Sequence, residues 1–130
     1  MNTYDFFKAK AKVKAVFGLE YHHIPEPNCV KFNSNEDIQH FMTKALRAYM
    51  YIKKGYVVWT EFRAGEFIFD LLVFDPRTNE LAVEEIYNTS ASKEEKKLEL
   101  PEGVKFGGEY RAIPIDGIES TKEFLEIIVD

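Results

Sequence analysis

The stretch Tyr56–Asn88, YVVWTEFRAGEFIFDLLVFDPRTNELAVEEIYN, decides the fold. Its first part, Tyr56–Arg63, is rich in β-branched and aromatic residues and reads as a strand. Ala64-Gly65 is a tight-turn signal, and Glu66–Phe74 is a second strand. Asp75–Asn79 (DPRTN) is a turn by composition, and Leu81–Asn88 is a third strand. Connections this short make the three an antiparallel meander. Strands buried on both faces should be almost wholly apolar, yet Asp70 interrupts the second strand, and Glu84 and Glu85 interrupt the third. Neighbouring strand residues point to opposite faces, so only one of these two glutamates is expected to share a face with Asp70.

Upstream of the meander, Ser34 followed by Asp37 resembles a capping arrangement, and Gly55 supplies a stop. Between them Ile38, Phe41, Met42, Ala45, Ala48, Tyr49 and Ile52 form an apolar stripe at helical spacing. The opposite face carries His40, Lys44, Arg47, Tyr51 and Lys54. That face is either a phosphate-contacting surface or the solvent side of the helix. Earlier still, Thr3–Phe17 reads as an amphipathic helix with Phe6, Ala9, Val13, Val16 and Phe17 on one face, capped by Asn2 or Thr3 and ended by Gly18. Lys8, Lys10, Lys12 and Lys14 flank its apolar side. A Pro-interrupted segment follows, with a short strand expected near Cys29–Phe32.

Downstream, Ser92–Leu100 reads as a short helix with Ser92 and Glu95 as a capping box, closed by Pro101 and Gly103. A fourth strand over Glu109–Ile115 returns beside the meander through this crossover. Ser120 or Thr121 caps a last helix ending near Val129. The expected architecture is α/β: an α-β-β-β-α-β core with a mixed four-stranded sheet flanked by helices. An extra helix lies at each terminus, and residues 1–130 form a single domain.

Composition bounds the function. The chain has 130 residues, 45% hydrophobic and 30% charged, with eleven Phe, seven Tyr and one Trp. That suffices for a real core and argues against disorder. The net charge of −5 argues against broad, tight, non-specific nucleic-acid binding. It is unevenly spread: residues 1–54 hold nine basic against five acidic side chains, residues 55–130 eight against seventeen. The single cysteine, Cys29, excludes an internal disulfide framework and points to a cytoplasmic, intracellular protein. No apolar run approaches a membrane span, and the Lys-rich N-terminus has no signal-peptide pattern, so no membrane partner is expected.

Two carboxylates on neighbouring strands suit a hard divalent cation. Mg²⁺ keeps several waters, one of which can attack a phosphodiester. The competing reading places Asp70 at a strand edge near solvent, or paired with Arg63 or a lysine. Glu61 either joins the acidic group or serves as a partner for a basic side chain. Cys29, His22-His23 and Gly107-Gly108 read as incidental surface or turn residues.

An α-β-β-β-α-β order, with Asp70 on the second strand and Glu85 on the third, resembles the PD-(D/E)XK (restriction-endonuclease-like) nuclease superfamily over roughly Glu36–Ile115. The run Glu85-Ile86-Tyr87-Asn88-Thr89, followed by Glu95-Lys96-Lys97, is similar to a divergent variant of its motif. The resemblance implies metal-dependent hydrolysis of DNA, structured or single-stranded, with Mg²⁺ or Mn²⁺ held by Asp70, Glu85 and the Ile86 carbonyl. Glu84 is the rival register for Glu85. Glu36 occupies the place of a glutamate on the first core helix, and His40 and Lys44 look like the His and Lys of that helix in some members. The motif lysine two residues after Glu85 is absent, because Tyr87 stands there. Lys93, Lys96 or Lys97 is then the expected source of the ammonium. Loss of that lysine also admits an alternative, a catalytically inactive nuclease-like domain that binds DNA or protein. Small members of the superfamily often pair, so a homodimer is compatible with the resemblance, but the sequence identifies no interface.

Overall fold

A computed structural model describes residues 3–88 and 106–115. The expected helices over Ser92–Leu100 and from Ser120 to Val129 lie outside the described residues. The elements are α1 (Thr3–Phe17), α2 (Ile38–Lys53), β1 (Val57–Ala64), β2 (Phe67–Asp75), β3 (Glu80–Asn88) and β4 (Glu109–Ile115). They build an α/β fold with one mixed four-stranded sheet in the order β1-β2-β3-β4. β1, β2 and β3 are antiparallel neighbours, and β4 runs parallel to β3. Among the described residues no helix is long and apolar enough to cross a membrane.

The strands carry apolar side chains on both faces, and one helix packs against each face. On the α1 side Ala9, Val13 and Phe17 meet Val57, Trp59, Phe62, Phe69, Leu72, Phe74 and Val83. Phe17 is the hinge of an aromatic group, with its ring 5.7 Å from Phe62, 5.9 Å from Phe69 and 6.2 Å from Phe106. On the α2 side Ala48 and Tyr51 meet Val58, Leu71, Val73, Ala82, Ile86 and Ile115. α1 ends as expected at Gly18, whose φ of +67° carries the chain away while its amide donates to the Lys14 carbonyl at 2.9 Å. Lys10 is buried rather than flanking, its ammonium 2.6 Å from Glu26 Oε1.

The strand expected over Cys29–Phe32 does not form. Asn28, just before it, adopts a left-handed φ of +63°, and the Cys29 carbonyl and Lys31 amide bond to the Thr60 side chain and not to the β1 backbone, so no ladder forms. It lies along the edge of β1 by individual bonds instead. The Asn28 amide donates to the Val58 carbonyl, Thr60 Oγ1 donates to the Cys29 carbonyl and accepts from the Lys31 amide, and Trp59 Nε1 donates to the Pro25 carbonyl. The edge strand is thereby covered.

The sheet departs from regular alternation at one place. On β1, Trp59 and Phe62 both enter the α1-side core, and on β2 so do Phe69 and Leu72. Regular alternation cannot put residues three apart on one face, so the pleat shifts by one on both strands. The shifts sit side by side: Thr60 pairs with Leu71 and Phe62 with Phe69, with Glu61 and Asp70 between them. Glu61 absorbs the shift with φ +51°, a conformation that costs a residue other than Gly about 1–2 kcal/mol. Both acids therefore stand where the strand pattern breaks.

α2 is rotated about its axis relative to its apolar stripe, so that Ala48 and Ile52 of the stripe pack toward the sheet and the rest does not. Asp37, not Ser34, is the N-cap, accepting from the His40 amide at 2.8 Å. Lys44 and Tyr51 are buried against the sheet, whereas Ile38, Met42 and Tyr49 are exposed. Of the expected solvent or phosphate face, Lys44, Arg47 and Tyr51 thus turn toward the sheet, while Lys54 stays exposed. The reason lies in the sheet below it, where Glu61 and Glu84 require cations: Lys44 supplies one to Glu61, and Arg47 joins Arg111 of β4 on Glu84.

Phe62 is 1% exposed and stacks on Phe69 with centroids 6.5 Å apart. Phe62→Ala is expected to lower unfolding free energy by about 3–5 kcal/mol in urea titration, with α2 helicity retained in the folded state.

Candidate functional site

β2 and β3 pair from Asp75–Glu80 to Leu71–Glu84, and there their pairing ends. β3 continues to Asn88 beside β4 alone. Asp70 occupies the fork. Its Oδ2 accepts the Ile86 amide at 2.7 Å, so a carboxylate takes the place that a β2 carbonyl would have filled. The Glu85 carboxyl stands within hydrogen-bond reach of Asp70. That hydrogen bond acts with His40 and the Ile86 amide to hold the Asp70 carboxyl ionised. Asp70, Glu85 and the Ile86 main chain are thus brought together, while the Ile86 side chain is buried in the α2-side core.

A second group approaches the fork from α2. His40 Nε2 is 3.5 Å from Asp70 Oδ2, and His40 Nδ1 is 2.6 Å from Glu36 Oε2. Lys44, wholly buried, donates to Glu36 at 2.8 and 3.0 Å and to Glu61 Oε1 at 2.8 Å. Glu36 lies in the turn before α2 rather than on the helix, and its Oε1 also accepts the Asn33 amide at 3.0 Å. His40 and Lys44 are one helical turn apart, which lets them reach the same side of the sheet. The chain Asp70–His40–Glu36–Lys44–Glu61 therefore links two strands through the start of α2.

This pairing sets the charges. The Asp70 hydrogen bond raises the His40 pKa despite burial. Burial opposes ionisation of Asp70, but His40 and the Ile86 amide outweigh it and hold its carboxyl below the ordinary range. Glu36 is held low in the same way, with burial overcome by the Asn33 amide, Lys44 and His40.

Glu84 serves a different centre. It is fully buried; Arg47 donates to both its oxygens at 2.5 and 2.9 Å, Arg111 donates at 2.9 Å, and the Tyr51 hydroxyl donates as well. Arg47 outweighs the burial penalty, so Glu84 stays ionised, while burial and the Glu84 charge push Tyr51 up to about 12. The two adjacent glutamates are therefore separated: Glu85 lies at the fork and Glu84 holds α2 to the sheet. Arg47 and Tyr51 are turned to this centre and not to a phosphate surface. Sequence reading missed Arg111. Its signal was present: Glu84 in an apolar strand needs a cation, and Arg111 is the basic residue of β4, in register with Glu84.

The remaining candidates are dispersed. Tyr87 is buried opposite Pro114. Lys93, Lys96 and Lys97 lie outside the described residues. His22 and His23 sit in an exposed turn with rings 4.1 Å apart, and Cys29 is exposed. Gly107 makes a turn at φ +67°, and a side chain at Gly108 would meet the Leu81 carbonyl at 2.3 Å.

Among the described residues no three His, Cys, Asp or Glu side chains converge closely enough to hold an ion by themselves. The donors at the fork nevertheless fit one class of ion. Two carboxylates from adjacent strands suit Mg²⁺ or Mn²⁺, which take few protein oxygens and keep waters. They do not suit a closed zinc cage.

Two outcomes are expected. Lys44→Met leaves Glu36 and Glu61 without their common cation and should cost about 3–5 kcal/mol in chemical unfolding. Adding Glu36→Gln and Glu61→Gln should restore much of the loss. His40 has a raised folded-state pKa, so its stabilising effect is complete below the unfolded value of about 6.5 and fades as pH rises through the folded value. Asp70, held low, contributes above about pH 4 and loses its contribution as pH falls further. In metal-free buffer the melting difference between the parent and His40→Gln should therefore be largest between roughly pH 4 and 6.5 and shrink at alkaline pH.

Comparison with family models, with curated proteins and with solved structures returned no match.

Proposed function

We propose that the protein is a divalent-metal-dependent nuclease that hydrolyses DNA phosphodiester bonds at the Asp70–Glu85 fork. The observation that carries this reading is the meeting of these two carboxyl groups where β2 and β3 part. The mixed sheet, with β4 alone parallel, supports the resemblance to the PD-(D/E)XK superfamily.

In this reading Asp70 and Glu85 hold Mg²⁺ or Mn²⁺, with the Ile86 main chain beside them. The bound ion would supply Lewis-acid polarisation of the phosphoryl group and acidify a water. His40, partly exposed beside Asp70, orients that carboxylate and offers a proton donor near the reacting phosphate. Lys44 is wholly buried, so it acts by fixing Glu36 and Glu61 and does not touch substrate. The ammonium that stabilises developing charge comes from Lys93, Lys96 or Lys97.

A second reading has its own support. Arg47 is committed to Glu84, and Tyr87 stands where the motif lysine belongs. Both favour a nuclease-like module that binds DNA or protein without cutting.

The test is cleavage of single-stranded, duplex and branched DNA with Mg²⁺ or Mn²⁺. The parent should cut, chelation should stop it, and Asp70→Asn or Glu85→Gln should each lower the rate by about a hundredfold or more with the fold retained. Variants that cut like the parent place the site elsewhere. A parent that binds DNA but cuts none of these substrates with either metal supports the module.

A further inference from the structure

The outer side of α1 gathers aromatic rings and cations. Tyr4 is 66% exposed, Phe7 61% and Tyr21 42%. Phe7 and Tyr21 meet with ring centres 6.1 Å apart and planes tilted by 49°. The Lys10 ammonium lies 5.4 Å from the Tyr21 ring centre, and the Lys8 ammonium 5.7 Å from that of Tyr4. Tyr21 also lines an open cavity of about 510 Å³ with Lys14, Gly18, Leu19, Glu20 and His22. α1 carries four lysines against one acid, Asp5. We propose that this face holds a single strand of DNA, its unpaired bases laid on Phe7 and Tyr21 and its backbone passing Lys14.

The residue types choose that occupant. Exposed rings interleaved with ammonium groups supply the two things a single strand binds to, π-faces for its bases and cations for its phosphates. A duplex keeps its bases stacked on one another, so it offers the rings no free face. A lipid surface is disfavoured by the same side chains. The outward row of Tyr4, Phe7, Ala11, Lys14 and Ala15 holds no Leu, Ile or Val, and the ammonium groups over the rings would have to shed water to enter a bilayer. Lys10 is committed to Glu26, whereas Lys14 is exposed at the cavity. Glu20 is the acid of the cavity, with its Oε2 3.5 Å from His22 Nδ1. A net charge of −5 keeps such a site narrow and its affinity modest.

The placement suits the fork. α1 starts at the end of the sheet where Lys8 donates to the Pro76 carbonyl at 2.9 Å. It finishes at the other end, where Phe17 packs on Phe69, the neighbour of Asp70. The C-terminal half of α1 and the fork thus share one end of the sheet, with α1 over one face and His40 reaching in from the other. The choice of DNA over RNA rests on the nuclease reading; the rings and the cations do not.

Fluorescence anisotropy of a labelled oligothymidylate, read with the full-length protein in EDTA, gives the test. The parent should bind with a micromolar dissociation constant at low salt, and should bind a duplex of equal length more weakly. Phe7→Ala and Tyr21→Ala should each weaken binding about tenfold with unchanged circular dichroism. Lys14→Gln should lower the slope of log affinity against log salt by about 0.7, an effect that a merely structural lysine would not have. Glu20→Gln should tighten binding by removing the opposing charge. A parent that does not bind at high micromolar concentration overturns the proposal, as does equal binding of duplex or binding that both ring substitutions leave intact. Tighter binding of oligouridylate overturns the choice of DNA. Attachment to phosphatidylserine vesicles that the oligothymidylate does not displace assigns the face to lipid and overturns the proposal. Because EDTA removes cleavage, the two readings fail separately. A parent that binds through these rings but never cuts contradicts the nuclease reading alone, and one that cuts without using them contradicts this proposal alone.

Discussion

The rest of the structure depends on two cations of α2 buried against carboxylates of the sheet. Lys44 is enclosed between Glu36 and Glu61, and Arg47 with Arg111 encloses Glu84. Buried charges are expensive unless paired and fully hydrogen-bonded, and here no buried side-chain polar atom among the described residues lacks a partner. Such pairs add little net stability against an apolar alternative, but they tolerate no slippage, because a shift of one turn would strand several charges at once. They fix how α2 sits on the sheet, and so fix where His40 meets Asp70. They also explain why Ile38, Met42 and Tyr49 of the stripe are exposed: the helix is rotated to bring Lys44 and Arg47 to the acids.

Much of the fold was legible in the sequence because the strands and turns are strong local signals. β-branched runs broken by Ala64-Gly65 and by Asp75–Asn79 leave little choice of register, and the three strands and β4 fall where their composition puts them. What was not legible was the facing of α2. Periodicity shows that a helix has two faces, but not which one the core takes. The usual rule that the apolar face turns inward holds for Ala48 and Ile52 but not for Ile38, Met42 and Tyr49, because the sheet beneath carries its own buried acids. The Cys29–Phe32 segment failed for a local reason: the left-handed Asn28 turns the chain before it, and the Thr60 hydroxyl takes the bonds that a ladder would need.

The candidate site was legible in part. Asp70 and Glu85 stood out as carboxylates in apolar strands, and the fork brings them together. Strict alternation alone could not have placed Glu61 and Asp70 beside each other at a shared shift of the pleat, because the left-handed backbone at Glu61 is a tertiary outcome. The split between Glu84 and Glu85 needed Arg111, whose partner lies 27 residues away in sequence. The charge asymmetry also gains a physical meaning. Part of the basic excess of the N-terminal half is spent inside the molecule, on Glu36, Glu61 and Glu84, so the half is less basic to a partner than it is to a count.

Diffraction from crystals grown with Mn²⁺, read at the manganese absorption edge, locates any ion at the fork. An anomalous peak is expected beside the carboxylates of Asp70 and Glu85, lost in Asp70→Asn. Full Mn²⁺ in the crystal with no peak at the fork, both with and without a bound DNA strand, would contradict it.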